Sequence, residues 1–218
     1  MVARPLLGPE DHARLSDAIR AAEANTSGEI YVVVAEFADN FRLVPVFWGA
    51  LFALLLPWSL LYATDWSIVR ILLAQAVGFL AVSALLSLPK LRYRVVPHGI
   101  AEEAARHAAE LHFMAHGIHL TTERTGVLIY VSMMPRRIEV LADDGIHSKV
   151  DPATWNKTVA QIASHARDGR LVDGLIAAIR STGDLLAEHF PRRPDDRNEL
   201  PDRVVEYSAT DTTHTLPR

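Results

Sequence analysis

The chain contains no cysteine. Disulfides and thiolate metal sites are therefore excluded, and cysteine usage carries no signal of the redox compartment. There is no basic excess either: 22 Lys and Arg stand against 26 Asp and Glu, a formal net charge of −4. That balance provides no field to attract nucleic acid, and no nucleic-acid partner is expected. The first 30 residues hold no continuous apolar run with a small-residue cleavage site, so no secretory signal peptide is expected. A phosphate-cradling glycine loop, a GxSxG elbow and an HExxH helix are also missing, and no internal repeat is present.

What the chain does have is a long stretch almost without charge. Between Leu43 and Leu88 only Asp65 and Arg70 interrupt it. Two runs make it up, LVPVFWGALFALLLPWSLLY over 43–62 and SIVRILLAQAVGFLAVSALLSL over 67–88. Each is about 20 residues, enough as a helix to span a hydrocarbon core of about 30 Å. Neither shows the polar stripe of a globular core helix. Only Ala63–Thr64–Asp65–Trp66 joins them, so a tight antiparallel transmembrane hairpin is expected. Trp58, Tyr62 and Trp66 surround that turn, where amphipathic rings favour the interface. Lys90, Arg92, Arg94 and Arg106 follow the second run, Arg42 precedes the first, and the turn carries no Lys or Arg. The positive-inside rule then places both flanks in the bacterial cytoplasm, with a multi-pass protein in the inner membrane and the lipid bilayer as its first partner.

The flanks read as one α/β domain built from both sides of the hairpin. Pro9 opens a helix through about Ala24, with Leu15, Ile19 and Ala22 on one face. Glu29 to Glu36 is apolar and β-branched at successive positions, as in a strand buried on both faces and central in its sheet. After the hairpin, Ile100, Ala104, Ala108, Leu111 and Ala115 recur at helical spacing up to Gly117. Gly126 to Ser132 predicts a second buried strand, and Arg137 to Ala142 its hairpin partner across a Pro135–Arg136 turn. Asp151–Pro152 starts a helix with Trp155, Val159 and Ile162 on its apolar face. A last helix from Arg170 to Phe190 should bury Leu171, Leu175, Ile179, Leu186 and Phe190. Gly183 inside it costs about 1 kcal/mol against Ala, a cost that close packing would justify. Residues 191–218 are rich in Pro, Asp and Arg without periodicity and predict a loosely ordered tail. The division is thus 1–42, hairpin 43–88, 89–190 and tail. The expected fold class is α/β, an α/β/α sandwich with a small mixed sheet interrupted by a two-helix transmembrane hairpin.

The run TERTGVLIYVSMMPRRIEVLADDGI, Thr122 to Ile146, resembles the central signature of TPM domains. The opening helix with SGEIYVVVAE and the Asp168–Gly169…Gly174–Leu175 segment resemble it too. The resemblance covers most of 8–190 outside the hairpin. It implies an α/β/α domain, and roles that vary among members: acid phosphatase, calcium binding, photosystem repair, modulation of membrane receptors. Two departures stand out: here the hairpin interrupts the domain, and the loop before the second strand reads Glu123–Arg124–Thr125 where relatives often carry Asn or Asp.

Three chemistries are open to the residues. Glu123, Asp143 and Asp144 lie at one end of the predicted hairpin of strands, and oxygen clusters of that kind hold hard cations such as Ca²⁺ or Mg²⁺. The same Asp-Asp-Gly is also ordinary turn chemistry. His112 and His116 share a helix face, with His119 in the loop beyond, a spacing that suits zinc as well as an ordinary helix surface. Ser132 and His147 are available for phosphoryl hydrolysis, yet nothing in their spacing selects them. The expectation is a membrane-anchored interaction or scaffold module that binds another membrane or membrane-associated protein. No catalytic residue is assigned, and the alternative is a metal-dependent, acid-phosphatase-like hydrolase. A transport role ranks last, since two helices without paired charges mark no ion path.

Overall fold

The computed structural model describes residues 5–208 and divides into two compact units, residues 39–101 and the remainder. In chain order the elements are α1 (Pro9–Glu23), β1 (Glu29–Phe37), α2 (Leu43–Ala63), α3 (Ile68–Leu86), α4 (Pro89–Arg92), α5 (His98–Ala115), β2 (Gly126–Met134), β3 (Arg137–Ala142), α6 (Asp144–His147), α7 (Pro152–Arg167), α8 (Leu171–His189) and β4 (Val204–Tyr207). A 3-10 turn over Ile118–Leu120 leads into β2.

The larger unit is a mixed four-stranded sheet in the order β3-β2-β1-β4. β1 runs parallel to both β2 and β4, while β3 returns antiparallel to β2. The unbroken apolar character of β1 and β2 now has its reason. On one face Ile30, Val32 and Val34 join Val127, Ile129 and Val131 in a core closed by Leu15 and Ile19 of α1, Trp155 and Ile162 of α7, and Leu175, Ile179 and Leu186 of α8. On the other face Tyr31, Val33 and Ala35 join Leu128 and Tyr130 beneath Ala105 and Ala109 of α5. A strand with helices on both sides must be apolar at every position. The architecture is the expected α/β/α sandwich.

The tail departs from the expectation. Within it Val204–Tyr207 forms β4 and pairs in register with Val32 to Ala35. Thr26 bridges Pro191, and the backbone N–H of Arg192 donates to the Asn25 carbonyl at 3.2 Å. Without β4, the buried strand β1 would present an edge of unpaired backbone groups, which favours capture of any β-branched segment within reach. Residues 209–218 lie outside the described residues. A second difference is the face of α5. Ile100 and Leu111 are exposed and the alanines Ala105 and Ala109 are buried, because the tyrosine rings beneath fill the layer and leave room only for methyl groups.

The smaller unit is a pair of helices, α2 and α3, each long and apolar enough to cross a membrane. Most of its large side chains point outward: Phe47, Trp58 and Leu73 are 59%, 63% and 61% exposed. The seam between the helices is made of small groups. A Cβ added at Gly49 would meet the Ser83 hydroxyl at 2.0 Å and the Phe79 carbonyl at 3.2 Å. Small residues that let backbones approach are how helices associate when lipid, not water, surrounds them.

Candidate functional site

Because β3 is antiparallel to β2, the loop entering β2 and the loop leaving β3 meet at one end of the sheet. The two contacts that close this corner are backbone bonds, Asp143 N–H to the Gly126 carbonyl at 3.0 Å and Gly145 N–H to the Arg124 carbonyl at 3.1 Å. Asp143 and Asp144, expected to end a strand in a turn, begin the one-turn helix α6. Asp143 caps it, accepting from the Asp144 N–H at 2.8 Å.

Arg124 sits at the middle of this corner with φ +57°, a left-handed backbone uncommon for a long side chain. Its guanidinium donates to the His119 carbonyl at 2.7 Å and lies 3.9 Å from Asp143 and 3.8 Å from Asp144. Glu123 turns away and pairs with Arg193 of the tail segment. Among the described residues no three His, Asp or Glu side chains gather as metal ligands. The corner therefore does not fit the calcium that the family resemblance implies: the cation its carboxylates face is an arginine. One Asp143 oxygen, Oδ2, is buried without a partner.

The histidines are placed differently from the zinc expectation. His112 and His116 do share a face of α5, with rings stacked 5.8 Å apart and 10° from parallel. Both nitrogens of His116 are engaged, Nδ1 with the Tyr31 hydroxyl at 3.1 Å and Nε2 with the Tyr207 hydroxyl at 2.9 Å. His112 packs its ring 4.4 Å from that of Tyr207 and 5.6 Å from that of Tyr130. Burial, helped by His116, pulls the His112 imidazole down to about 4, and burial lowers His116 as well. Burial raises the phenol of Tyr130, whose hydroxyl is enclosed without a partner. His119 lies apart, in the 3-10 turn. Two neutral imidazoles and three tyrosines thus form a polar seam in an otherwise alanine-lined interface.

The sequence reading missed a third group. Glu23 at the end of α1 and Glu29 at the start of β1 face Arg20, Arg192, Asp196 and Asp202 around a shallow cavity of about 150 Å³. Glu23 accepts from the Ile30 N–H at 2.8 Å, and Glu29 from the Glu199 N–H at 2.9 Å. Burial pushes the Glu23 carboxyl up to about 9, against the opposing Ile30 hydrogen bond and with the charges of Glu29 and Asp202 adding to it. Burial raises Glu29 too. A carboxylate heading a fully apolar strand was the one local signal available. The tail residues that complete the group carried none.

The fold and these sites define an α/β/α sandwich domain with two long apolar helices inserted between its first strand and α5. Residues 90–185 match the family model of the TPM domain, and over that stretch the chain is similar to the family. Among solved structures it is similar to the BA42 protein of the psychrophilic bacterium Bizionia argentinensis, determined by NMR. The TM-score is 0.59 at 22% identity, covering 93% of this chain and 97% of that one, a likeness of fold. No curated protein matches the chain.

Proposed function

We propose that this protein is a membrane-anchored binding module. In this reading α2 and α3 are inserted as a hairpin in the bacterial cytoplasmic membrane. The α/β unit faces the cytoplasm and engages another membrane or membrane-associated protein. The observation that carries the reading is the outward exposure of most large side chains on two helices with only Arg70 charged between Leu43 and Ala63 and between Ile68 and Leu86. Apolar surface left in water costs about 25 cal/mol per Å², and lipid removes that cost. The cytoplasmic placement rests on Arg42, Lys90, Arg92, Arg94 and Arg106 flanking a turn without Lys or Arg. The full chain should sediment with membranes after a high-pH carbonate wash and leave them only with detergent. Recovery in the supernatant would overturn the anchor. Mild detergent extraction followed by cross-linking should then recover a stoichiometric protein partner, and recovery of none would overturn the module.

The alternative, a metal-dependent phosphatase, is supported by the name of the matching family model, TPM phosphatase. It requires hydrolysis of an aryl phosphate by the purified chain that Asp143→Ala with Asp144→Ala abolishes. The guanidinium of Arg124 between those two carboxylates weighs against it.

A further inference from the structure

The end of the sheet away from the acidic corner is built quite differently. There β2 turns into β3 at Pro135–Arg136, and a cavity of about 400 Å³ opens between that turn and the last turn of α7. Its wall includes Met133, Ile138 and Leu171, and its rim carries Arg136, Arg137 and Arg167. No Asp or Glu is among its lining residues. In a chain of net charge −4, three guanidiniums around one apolar hollow form a local positive site. Arg136 and Arg167 are exposed. The Nε of Arg167 donates to the Ala163 carbonyl at 3.2 Å, and Arg137 donates to the Arg136 carbonyl at 3.1 Å, so two of the three side chains are steadied by backbone.

The composition of the cavity selects its ligand. Guanidinium forks match the oxygens of a phosphate, and charge-assisted bonds of that kind are the strong ones. A bare inorganic anion would leave the apolar wall uncovered. An anion carrying hydrocarbon would cover both, and the volume falls in the usual range for small-molecule pockets, about 300–1,000 Å³. The chain itself points to a source. Phe37, the last residue of β1, pairs with Met134 at this same end of the sheet, and the first apolar helix starts at Leu43. Only five residues, 38–42, separate the end of β1 from the first apolar helix in the chain.

We propose that this cavity binds the headgroup of an anionic membrane phospholipid. Its phosphate sits on Arg136 and Arg167, with Arg137 behind them, and its glycerol and first acyl carbons lie against Met133, Ile138 and Leu171. The inference rests on the membrane-anchored reading above. It makes the α/β unit sensitive to the charge of the bilayer that holds it.

The test uses the full chain in neutral-detergent micelles doped with phosphatidylglycerol or phosphatidylcholine at equal mole fraction, with retained lipid counted by native mass spectrometry. Phosphatidylglycerol should be retained in preference to phosphatidylcholine. Arg136→Glu with Arg167→Glu should lower its occupancy about tenfold, the scale of losing charge-assisted contacts. Arg136→Lys with Arg167→Lys, which keeps the charge but loses the planar fork, should lower it less than charge reversal does. Ala166→Trp, which fills the wall and alters no charge, should lower it as well. Thermal midpoints equal to the parent's show that each variant is folded. Lipid held against the hairpin itself is indifferent to these positions. Equal retention of the two lipids, or retention unmoved by charge reversal, overturns the inference. Displacement by an equal concentration of inorganic phosphate also overturns it, since the apolar wall would then contribute nothing. Sedimentation of the cell membranes before any detergent is added keeps the two readings apart. A chain that pellets with membranes yet shows no lipid preference sinks only this inference; a chain in the supernatant sinks the anchor beneath it.

Discussion

Glu23 and Arg124 show what neighbours do to a single side chain. Glu23 keeps its proton up to about 9 in the folded chain, because burial disfavours the carboxylate, and Asp202 serves as hydrogen-bond partner of the protonated form. Unfolded, the same carboxyl titrates near 4.5. Between those values the folded state binds more protons than the unfolded one. This contribution to stability is therefore complete below pH 4.5 and is lost as pH rises through 9. Glu23→Gln keeps an acceptor for the Ile30 N–H and removes the titration. Its thermal midpoint should fall less than the parent's between pH 6 and pH 9, and parallel pH profiles would contradict the assignment. Arg124 carries the opposite lesson. It brings its own positive charge to a pair of aspartates, which changes a plausible cation site into an ion-pair corner.

Among the elements, α1 and α8 meet so closely that one residue decides their distance. A Cβ on Gly183 would lie 2.6 Å from the Ala22 Cβ and 3.0 Å from its Cα, neither of which can swing aside. Ala gains about 1 kcal/mol over Gly in a helix interior, but overpacking a core typically costs 1–3 kcal/mol. Gly183→Ala should therefore destabilise the protein by about 1 kcal/mol despite its better propensity. Ala22→Gly in the same chain should return part of the loss, and a stabilised Gly183→Ala single variant would refute the packing argument. β4 works at the same scale. Its Glu206 accepts from the backbone N–H groups of Leu6 and Leu7 at 2.9 and 3.0 Å and meets His12 Nε2 at 2.6 Å, so the last strand also fastens the chain's opening segment.

For the whole molecule, the membrane reading makes a spectroscopic prediction. Of four tryptophans, Trp48, Trp58 and Trp66 belong to the apolar hairpin or its turn, while Trp155 is buried in the α/β core. Reconstituted into vesicles whose acyl chains carry bromine, the protein should lose most of its tryptophan emission. The quenching that persists after Trp155→Phe reports the hairpin alone. Emission unaffected by brominated lipid would place the hairpin outside the bilayer.

The sequence by itself determined whatever depends on local periodicity and on runs of one character. It revealed the two apolar helices, the doubly buried strands β1 and β2, the faces of α1 and α8, and Gly183 as a packing position. Those features follow from solvent exclusion acting on consecutive residues, and a chain records that directly. Only the tertiary structure decided the rest. Val204–Tyr207 is too short to announce a strand, and it becomes one because β1 offers it an open edge. His116 is shielded from metal chemistry by Tyr31 and Tyr207, residues 85 and 91 positions away in the chain. The arginine-rimmed cavity joins Arg136 and Arg137 to Arg167 across two elements. Such groupings arise from contacts between distant segments, and spacing along a chain carries no trace of them.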